Sequence, residues 1–247
     1  MVTWEWWRKG RLLAFLQSMA PGPQGAFTVL CPPQHPLGSI CPQVAEALAA
    51  MGEDKDPLLA WPMGVVCFWA PVRQVWVLPP FRVDREAVEA TWDSPLFNAL
   101  YERPARFGLL LVRRGGYALG IAEGESLRQH KVGSRYVQGR NKAGGSSAPR
   151  FERRRREQVH HLLRQVCDLV QERWEPYKTS LEALFLGGDR LLLNALLKEC
   201  PFLRAFTPIV HPHWLPVGEP GLEALGRAVA LAWQSQVALT GLWEREC

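Results

Sequence analysis

The chain has 247 residues, of which 47% are hydrophobic and 21% charged, and its formal net charge is only +5. These are the fractions of a globular protein with a sizeable core, so any polyanion docks at a local patch and not over a uniformly basic surface. No apolar run approaches the roughly 18 residues of a membrane span, and the six cysteines form no C-x-x-C pair, which points to free or buried thiols in a reducing cytoplasm and away from a disulfide framework or a zinc site.

Residues 1–20 read as an N-terminal amphipathic helix. Thr3 stands as its cap, and Trp4, Trp7, Leu12, Phe15 and Leu16 recur at roughly helical spacing. The apolar stretch 12–16 is too short for the core of a signal peptide. Residues 27–30 form a buried strand stopped by Pro32-Pro33, and 44–51 a short helix. Residues 65–69 and 72–78 form a hairpin around Ala70-Pro71. Residues 84–92 read as a helix capped by Asp84.

The clearest hairpin joins 107–112 to 117–122 through Arg113-Arg114-Gly115-Gly116. Strands are expected over 127–132 and 135–138, followed by a flexible loop over 139–149 that holds three glycines and two serines. A long helix then runs over 149–174. Val159, Leu162, Leu163, Val166, Leu169, Val170 and Trp174 mark its apolar face. At 1.5 Å per residue it is roughly 39 Å long. Its first turns carry arginines around the whole axis, so they project past the core into solvent or onto a partner.

Residues 181–186 form a strand. Gly187-Gly188-Asp189 then leads into a helix over 190–199, with Asp189 as N-cap; the phosphate-loop patterns are missing from this turn. A strand at 206–210 and a closing helix at 222–236 follow. Strands alternating with helices predict an α/β fold with a mixed sheet flanked by helices, as a single domain over 21–247.

Ten of the 29 Lys and Arg residues fall between 128 and 156: Arg128, Lys131, Arg135, Arg140, Lys142, Arg150, Arg153, Arg154, Arg155 and Arg156. Only Glu152 opposes them there. A charge run is usually a solvated face, but two details argue otherwise. Positive charge at a helix N-terminus opposes the macrodipole, and consecutive arginines repel one another. A polyanion cancels both penalties, and the guanidinium fork suits phosphate. The Gly144-Gly145-Ser146-Ser147 tip lies between a basic strand and a basic helix, where phosphates surround it and glycines let the backbone approach closely.

Metal chemistry finds less support. His160 and His161 are about 100° apart on a helix, and His211 and His213 lack an identifiable third ligand. Asp84, Asp93 and Asp189 are too scattered in sequence to form a carboxylate cluster. No metal or cofactor is expected, and no G-x-S-x-G elbow is present.

Gly133-Ser-Arg-Tyr-Val-Gln-Gly-Arg-Asn-Lys-Ala-Gly-Gly145, followed by Arg150-Phe-Glu-Arg-Arg-Arg-Arg-Glu-Gln158, resembles the Vms-like release factor (VLRF) domain. That family includes the Vms/ANKZF-type peptidyl-tRNA hydrolases and is related to the middle domain of eukaryotic and archaeal class-1 release factors. The Leu186-Gly-Gly-Asp-Arg190 turn is similar to its C-terminal part, and the resemblance covers roughly residues 105–240. It implies an RNase H-like α/β fold whose Gly-rich loop enters the peptidyl-transferase centre. It further implies a cytoplasmic, release-factor-like protein without cofactor, whose partners are the large ribosomal subunit and tRNA or peptidyl-tRNA; its oligomeric state is left open. Carried over by position, the catalytic tip is Gly144, Gly145, Ser146 and Ser147. The nucleic-acid contacts are Lys131, Arg135, Arg140, Lys142, Arg150 and Arg153 to Arg156.

One departure matters. Relatives place a glutamine just after the glycine pair, where this chain has Ser146, Ser147, Ala148 and Pro149. The resemblance therefore supports ribosome or tRNA binding more strongly than hydrolysis. A catalytically inactive, hibernation-type ribosome binder and a metal-dependent nuclease-like enzyme stand as alternatives.

Overall fold

Mostly continuous apolar strands, buried along their length, build two sheets, each in its own compact unit of the chain. In the computed structural model, residues 2–134 and 148–243 are described. The first unit comprises residues 1–103 and 233–247, the second 104–232. In chain order the elements are β1 (Trp4–Trp7), α1 (Lys9–Met19), β2 (Phe27–Cys31), α2 (Pro42–Ala50), α3 (Asp56–Ala60), β3 (Val65–Ala70), β4 (Arg73–Leu78), β5 (Ala87–Glu89), α4 (Pro95–Glu102), β6 (Arg106–Arg113), β7 (Gly116–Glu123), β8 (Ser126–Ser134), α5 (Ala148–Trp174), β9 (Ala183–Gly188), α6 (Arg190–Glu199), α7 (Pro201–Arg204), α8 (Leu222–Ala232) and β10 (Ser235–Gly241). The mixed α/β architecture expected from the sequence is present.

The first unit holds a six-stranded antiparallel sheet in the order β1-β10-β4-β3-β2-β5. Trp4, Ala238, Trp76, Cys67 and Val29 are successive cross-strand partners, so their side chains line one face. Val44 and Leu48 of α2 and Leu58 of α3 pack on that row. Trp76 is fully buried, yet its indole N–H is satisfied by Thr240 Oγ1 at 2.8 Å. A second aromatic cluster forms around α4, where Phe97 meets Phe68 edge-on at 4.9 Å. Ser94 caps α4 by accepting from the Phe97 amide at 3.0 Å.

Two expected helices differ here. The N-terminal stretch begins as strand β1 and becomes helical only at Lys9, with Arg8 and not Thr3 at the cap position. Trp4 and Trp6 flank Glu5 in an alternating pattern, and pairing with β10 outweighs the weak helical spacing. The segment 84–92 holds strand β5, paired with β2 through Val88 and Val29. Asp84 ion-pairs with Arg103 at 3.2 Å and caps nothing.

The second unit holds a mixed four-stranded sheet in the order β8-β7-β6-β9, with β9 parallel to β6 and the other pairs antiparallel. The hairpin of β6 and β7 turns through Arg114-Gly115, as its sequence indicates. On one face, Leu162, Leu163, Val166, Val170 and Trp174 of α5 and Leu192, Leu193 and Leu196 of α6 cover Leu110, Val112, Tyr117, Leu119 and Ile121. On the other face, a Cβ placed on Gly120 would lie 3.5 Å from Leu225 of α8.

The expected strand at 206–210 is a 3-10 turn, Thr207–Ile209, with one isolated bridge from Val210 to Leu184. Pro208 cannot donate to a ladder. The closing helix stops at Ala232, and the chain re-enters the first sheet as β10. The strand at 127–132 is part of β8; the expected strand at 135–138 and the loop up to 147 lie outside the described residues, and 148 and 149 are the first residues of α5. The cysteines also depart from expectation. Cys167 of α5 and Cys200 after α6 form a disulfide, their Cα atoms 5.6 Å apart, while Cys31, Cys41 and Cys67 are free. Among the described residues, no helix is long and apolar enough to cross a membrane.

Candidate nucleic-acid interface

In the second sheet β6, β8 and β9 run the same way, so their C-terminal ends share one edge. Register fixes the neighbours there. Ser134 is opposite Gly116, Gly116 is opposite Arg113, and Val112 is opposite Gly188. The exit of β8, the Arg114-Gly115 turn and the Gly188-Asp189 turn are thus close together.

The long helix passes this same edge and extends beyond it. Gln165 Nε2 donates to Tyr117 Oη at 3.2 Å, one residue along β7 from Gly116. At the other end of the sheet, a Cβ on Gly108 would fall 3.1 Å from the Trp174 ring. The helix from Ala148 to Gln165 is about 25 Å long, most of it past the contact with Tyr117. Val159 is partly buried against the core and Leu162 is fully buried. Ahead of them Arg150, Arg153, Arg154 and Arg156 are exposed and Arg155 half-buried. Arg153 reaches Glu157 at 3.1 Å, and its side chain remains 83% exposed, so a phosphate could replace that weak surface pairing.

Lys131 is opposite Leu119, on the face of β8 that α5 covers. With His161 and Arg164 it lines a cavity of about 520 Å³ that also takes in Asp168 and Glu172 further down the helix. Arg135, Arg140 and Lys142, and all four proposed catalytic residues, Gly144, Gly145, Ser146 and Ser147, lie outside the described residues.

The Gly187-Gly188-Asp189 turn has the role expected of it. Asp189 Oδ1 accepts from the amides of Leu191 and Leu192 at 3.0 and 3.2 Å, capping α6. Gly188 has φ +106°, and a Cβ there would fall 2.3 Å from the Val112 carbonyl oxygen; only glycine fits. Beside this turn is a cavity of about 440 Å³ lined by Arg113, Arg114, Gly115, Gly188, Asp189 and Glu219. Arg114 Nε lies 3.6 Å from Asp189, Arg113 lies 3.3 Å from Glu219, and Arg190 stacks over Trp214 at 4.9 Å. Counting charge between 128 and 156 does not find these three arginines. Their signal is topological: two sit in the hairpin turn and one follows the cap, and parallel β6 and β9 deliver both to one edge.

Charge divides sharply between the units. Residues 104–232 hold 20 Lys and Arg against 12 Asp and Glu, net +8, while the rest of the chain holds 9 against 12, net −3. Among the described residues, no group of three or more His, Cys, Asp or Glu is placed to hold a metal. His211 and His213 are buried and engaged with each other, the His213 amide donating to His211 Nδ1 at 3.0 Å, and His211 stacks on Phe185 at 4.3 Å. Burial pushes the His213 imidazole down to about 4, so it is neutral near pH 7. Asp84 and Asp93 belong to the first unit and Asp189 to the second.

Residues 105–238, which include this basic edge, match the family model described as Actinobacteria/chloroflexi VLRF1 release factor. The chain belongs to that family. As a VLRF1-family protein it is similar to peptide chain release factor subunit 1 of Archaeoglobus fulgidus, 30% identical over 95 residues, 38% of this chain and 23% of the relative. The corresponding protein of Methanopyrus kandleri is 28% identical over 150 residues, 59% of this chain and 36% of the relative. The chain thus spans about a quarter to a third of the length of these curated relatives. Among solved structures, the archaeal translation termination factor aRF1 aligns over 90% of this chain and 70% of its own, at 18% identity and a TM-score of 0.40. The Vms1 mitochondrial localization core aligns over 82% and 85%, at 16% identity and a TM-score of 0.43.

Proposed function

We propose that this VLRF1-family protein is a cytoplasmic, ribosome-associated factor that binds tRNA and 23S rRNA beside the peptidyl-transferase centre. Its contacts are Lys131, Arg135, Arg140, Lys142, Arg150 and Arg153 to Arg156, joined by Arg113, Arg114 and Arg190. The observation that carries this reading is that the β8 exit and the Arg113-Arg114 turn share one edge of a unit with net charge +8, and that α5 projects its exposed arginine turns past this same edge. Such a local field attracts RNA phosphates, and their negative charge offsets both the helix-dipole penalty and the mutual repulsion of the arginines.

Binding is the primary act in this proposal, and release of the nascent chain is slow. Backbone amides of Gly144 and Gly145 and the hydroxyls of Ser146 and Ser147 are the groups assigned to the ester and its attacking water. The side chain that relatives use, a glutamine, is absent from 146–149. Loss of one transition-state donor typically costs about 100- to 1,000-fold in rate.

Single-turnover release from peptidyl-tRNA on saturated ribosomes tests this. The natural protein should be slow, and Ser147→Gln or Ala148→Gln should raise the rate without changing ribosome affinity. Fast release by the natural protein, unchanged in the joint Ser146→Ala and Ser147→Ala variant, would refute the glutamine argument. Absence of ribosome binding would refute the whole reading.

A further inference from the structure

The first unit carries a groove of about 1070 Å³ between α1, the turn entering β4 and the end of β10. Its walls are aromatic. Trp7 meets Phe15 edge-on at 5.1 Å, and Phe15 lies 5.7 Å from Trp243. The rings are held in place, for Trp243 Nε1 donates to the Thr240 carbonyl at 2.9 Å and Trp7 Nε1 to Glu5 Oε2 at 3.0 Å. The backbone beneath them is fixed too. Leu242 N donates to the Val72 carbonyl at 2.7 Å, and Gly241, at φ +90°, lets the two segments approach. The rim exposes Val72 by 53% and Leu242 by 77%. Rigid walls of this kind bind at reduced entropic cost.

Two arginines and no carboxylate line the groove among the described residues. Arg11 lies over Trp7 at 4.0 Å and is 3.6 Å from Glu5. The Arg73 guanidinium is 5.2 Å from the Trp243 ring and 6.0 Å from that of Trp92, and its buried Nε has no hydrogen-bond partner among the described residues. The groove is therefore apolar along its length and positive at its polar points.

We infer that this groove docks a partner protein through an extended segment in which bulky apolar side chains alternate with carboxylates. Apolar side chains fill the space between Trp7, Phe15 and Trp243, and a carboxylate accepts charge-assisted bonds from Arg73 and Arg11. RNA fits less well. The rim is aliphatic, and the two arginines that line the groove among the described residues are too few to follow a phosphate backbone. This site is independent of the basic edge of the second unit.

The test is calorimetric titration of the full chain with three probes: acetyl-Leu-Glu-Phe-Glu-Leu-amide, its twin with Gln for both Glu, and penta-uridylate. The acidic peptide is expected to bind, the neutral twin about tenfold more weakly, which is one charge-assisted contact. Arg11→Met and Arg73→Met should each bring the acidic peptide down to the level of its twin. Arg11 is at the surface, so that variant remains informative if Arg73→Met fails to fold. Three results would overturn the inference: equal affinity for the two peptides, acidic-peptide affinity unchanged in Arg11→Met, or penta-uridylate binding that disappears in Arg11→Met. A fourth is acidic-peptide binding that tightens tenfold or more when residues 244–247 are deleted, which would make the chain's own Glu244 and Glu246 the occupants.

Discussion

Tyr117 lies over Gly133 so closely that a Cβ on Gly133 would fall 2.2 Å from the tyrosine oxygen. Gly133 is the last but one described residue before the proposed loop, and Tyr117 Oη accepts from Gln165 of α5. The glycine thus allows one side chain to tie the exit of β8 to the helix that carries the arginines. Gly133→Ala should displace the ring and lower stability by about 1–3 kcal/mol, the usual cost of overpacking. Tyr117→Phe, which loses only the bond to Gln165, should cost about 0.5–1.5 kcal/mol. Urea unfolding of the two variants checks the order; an alanine as mild as the phenylalanine would contradict the close packing.

Replacing Arg153 to Arg156 with alanine should weaken ribosome binding and flatten its dependence on salt. Every phosphate that no longer has an arginine beside it lowers the log–log slope by about 0.7 to 0.9, by analogy with simple nucleic acids. The fold should survive, because these side chains precede Leu162, which anchors α5 in the core. Co-sedimentation across a potassium chloride series, with circular dichroism as a control, reads both effects. An unchanged slope would remove the arginine turns from the interface.

Asp189 serves two groups at once, the α6 amides through Oδ1 and Arg114 through Oδ2. The substitutions separate them. Asp189→Asn keeps the cap and loses only a half-exposed ion pair, so its effect on stability should be within about 0.5 kcal/mol. Asp189→Ala loses the cap as well and should cost about 1 kcal/mol. Equal losses in thermal unfolding would mean that the Arg114 pairing dominates.

His213 should make stability fall with acid. Unfolded, its imidazole takes up a proton near the ordinary value of 6.5; folded, burial delays this to about 4. Between those values the unfolded state binds more protons, so stability decreases as pH falls from about 6.5 toward 4, by at most about 1.4 kcal/mol per pH unit from this group. His213→Gln should reduce the slope of stability against pH in that window and leave the slope above pH 7 unchanged. A slope that persists in full would assign the acid sensitivity to other groups.

Local signals carry far in this chain. The Gly-Gly hairpin, the apolar stripe of α5 and the Asp189 cap are each specified by residues within a few positions of one another, and each is present. What the sequence hides depends on partners distant along it. Trp4 to Trp7 becomes a strand because β10, over 220 residues later, offers an edge. Val88 extends because Val29 pairs with it. The disulfide joins Cys167 and Cys200, 33 residues apart, through the packing of α5 on α6 and α7. The basic edge is half legible. The arginine run is contiguous and stands out, whereas Arg113, Arg114 and Arg190 reach it only through the direction of β6 and β9.

Strand β10 lies between β1 and β4 in the first sheet, although every residue of the second unit precedes it in the chain. The order of synthesis therefore runs against the order of assembly. As the chain emerges, β1 has no neighbour and β4 has one open side until the stretch from 79 to 234 has been made, whereas the second unit is complete by Ala232. That unit can condense early as a continuous segment, while the first waits for the strand that joins β1 to β4 and leaves both of them unpaired on that side in the meantime. Closure of the sheet by β10 is then a late, long-range event, slow for the same reason that non-local contacts are slow in general. A nascent chain stopped between Trp174 and Ser235 would carry the arginine helix but leave the aromatic sheet unfinished.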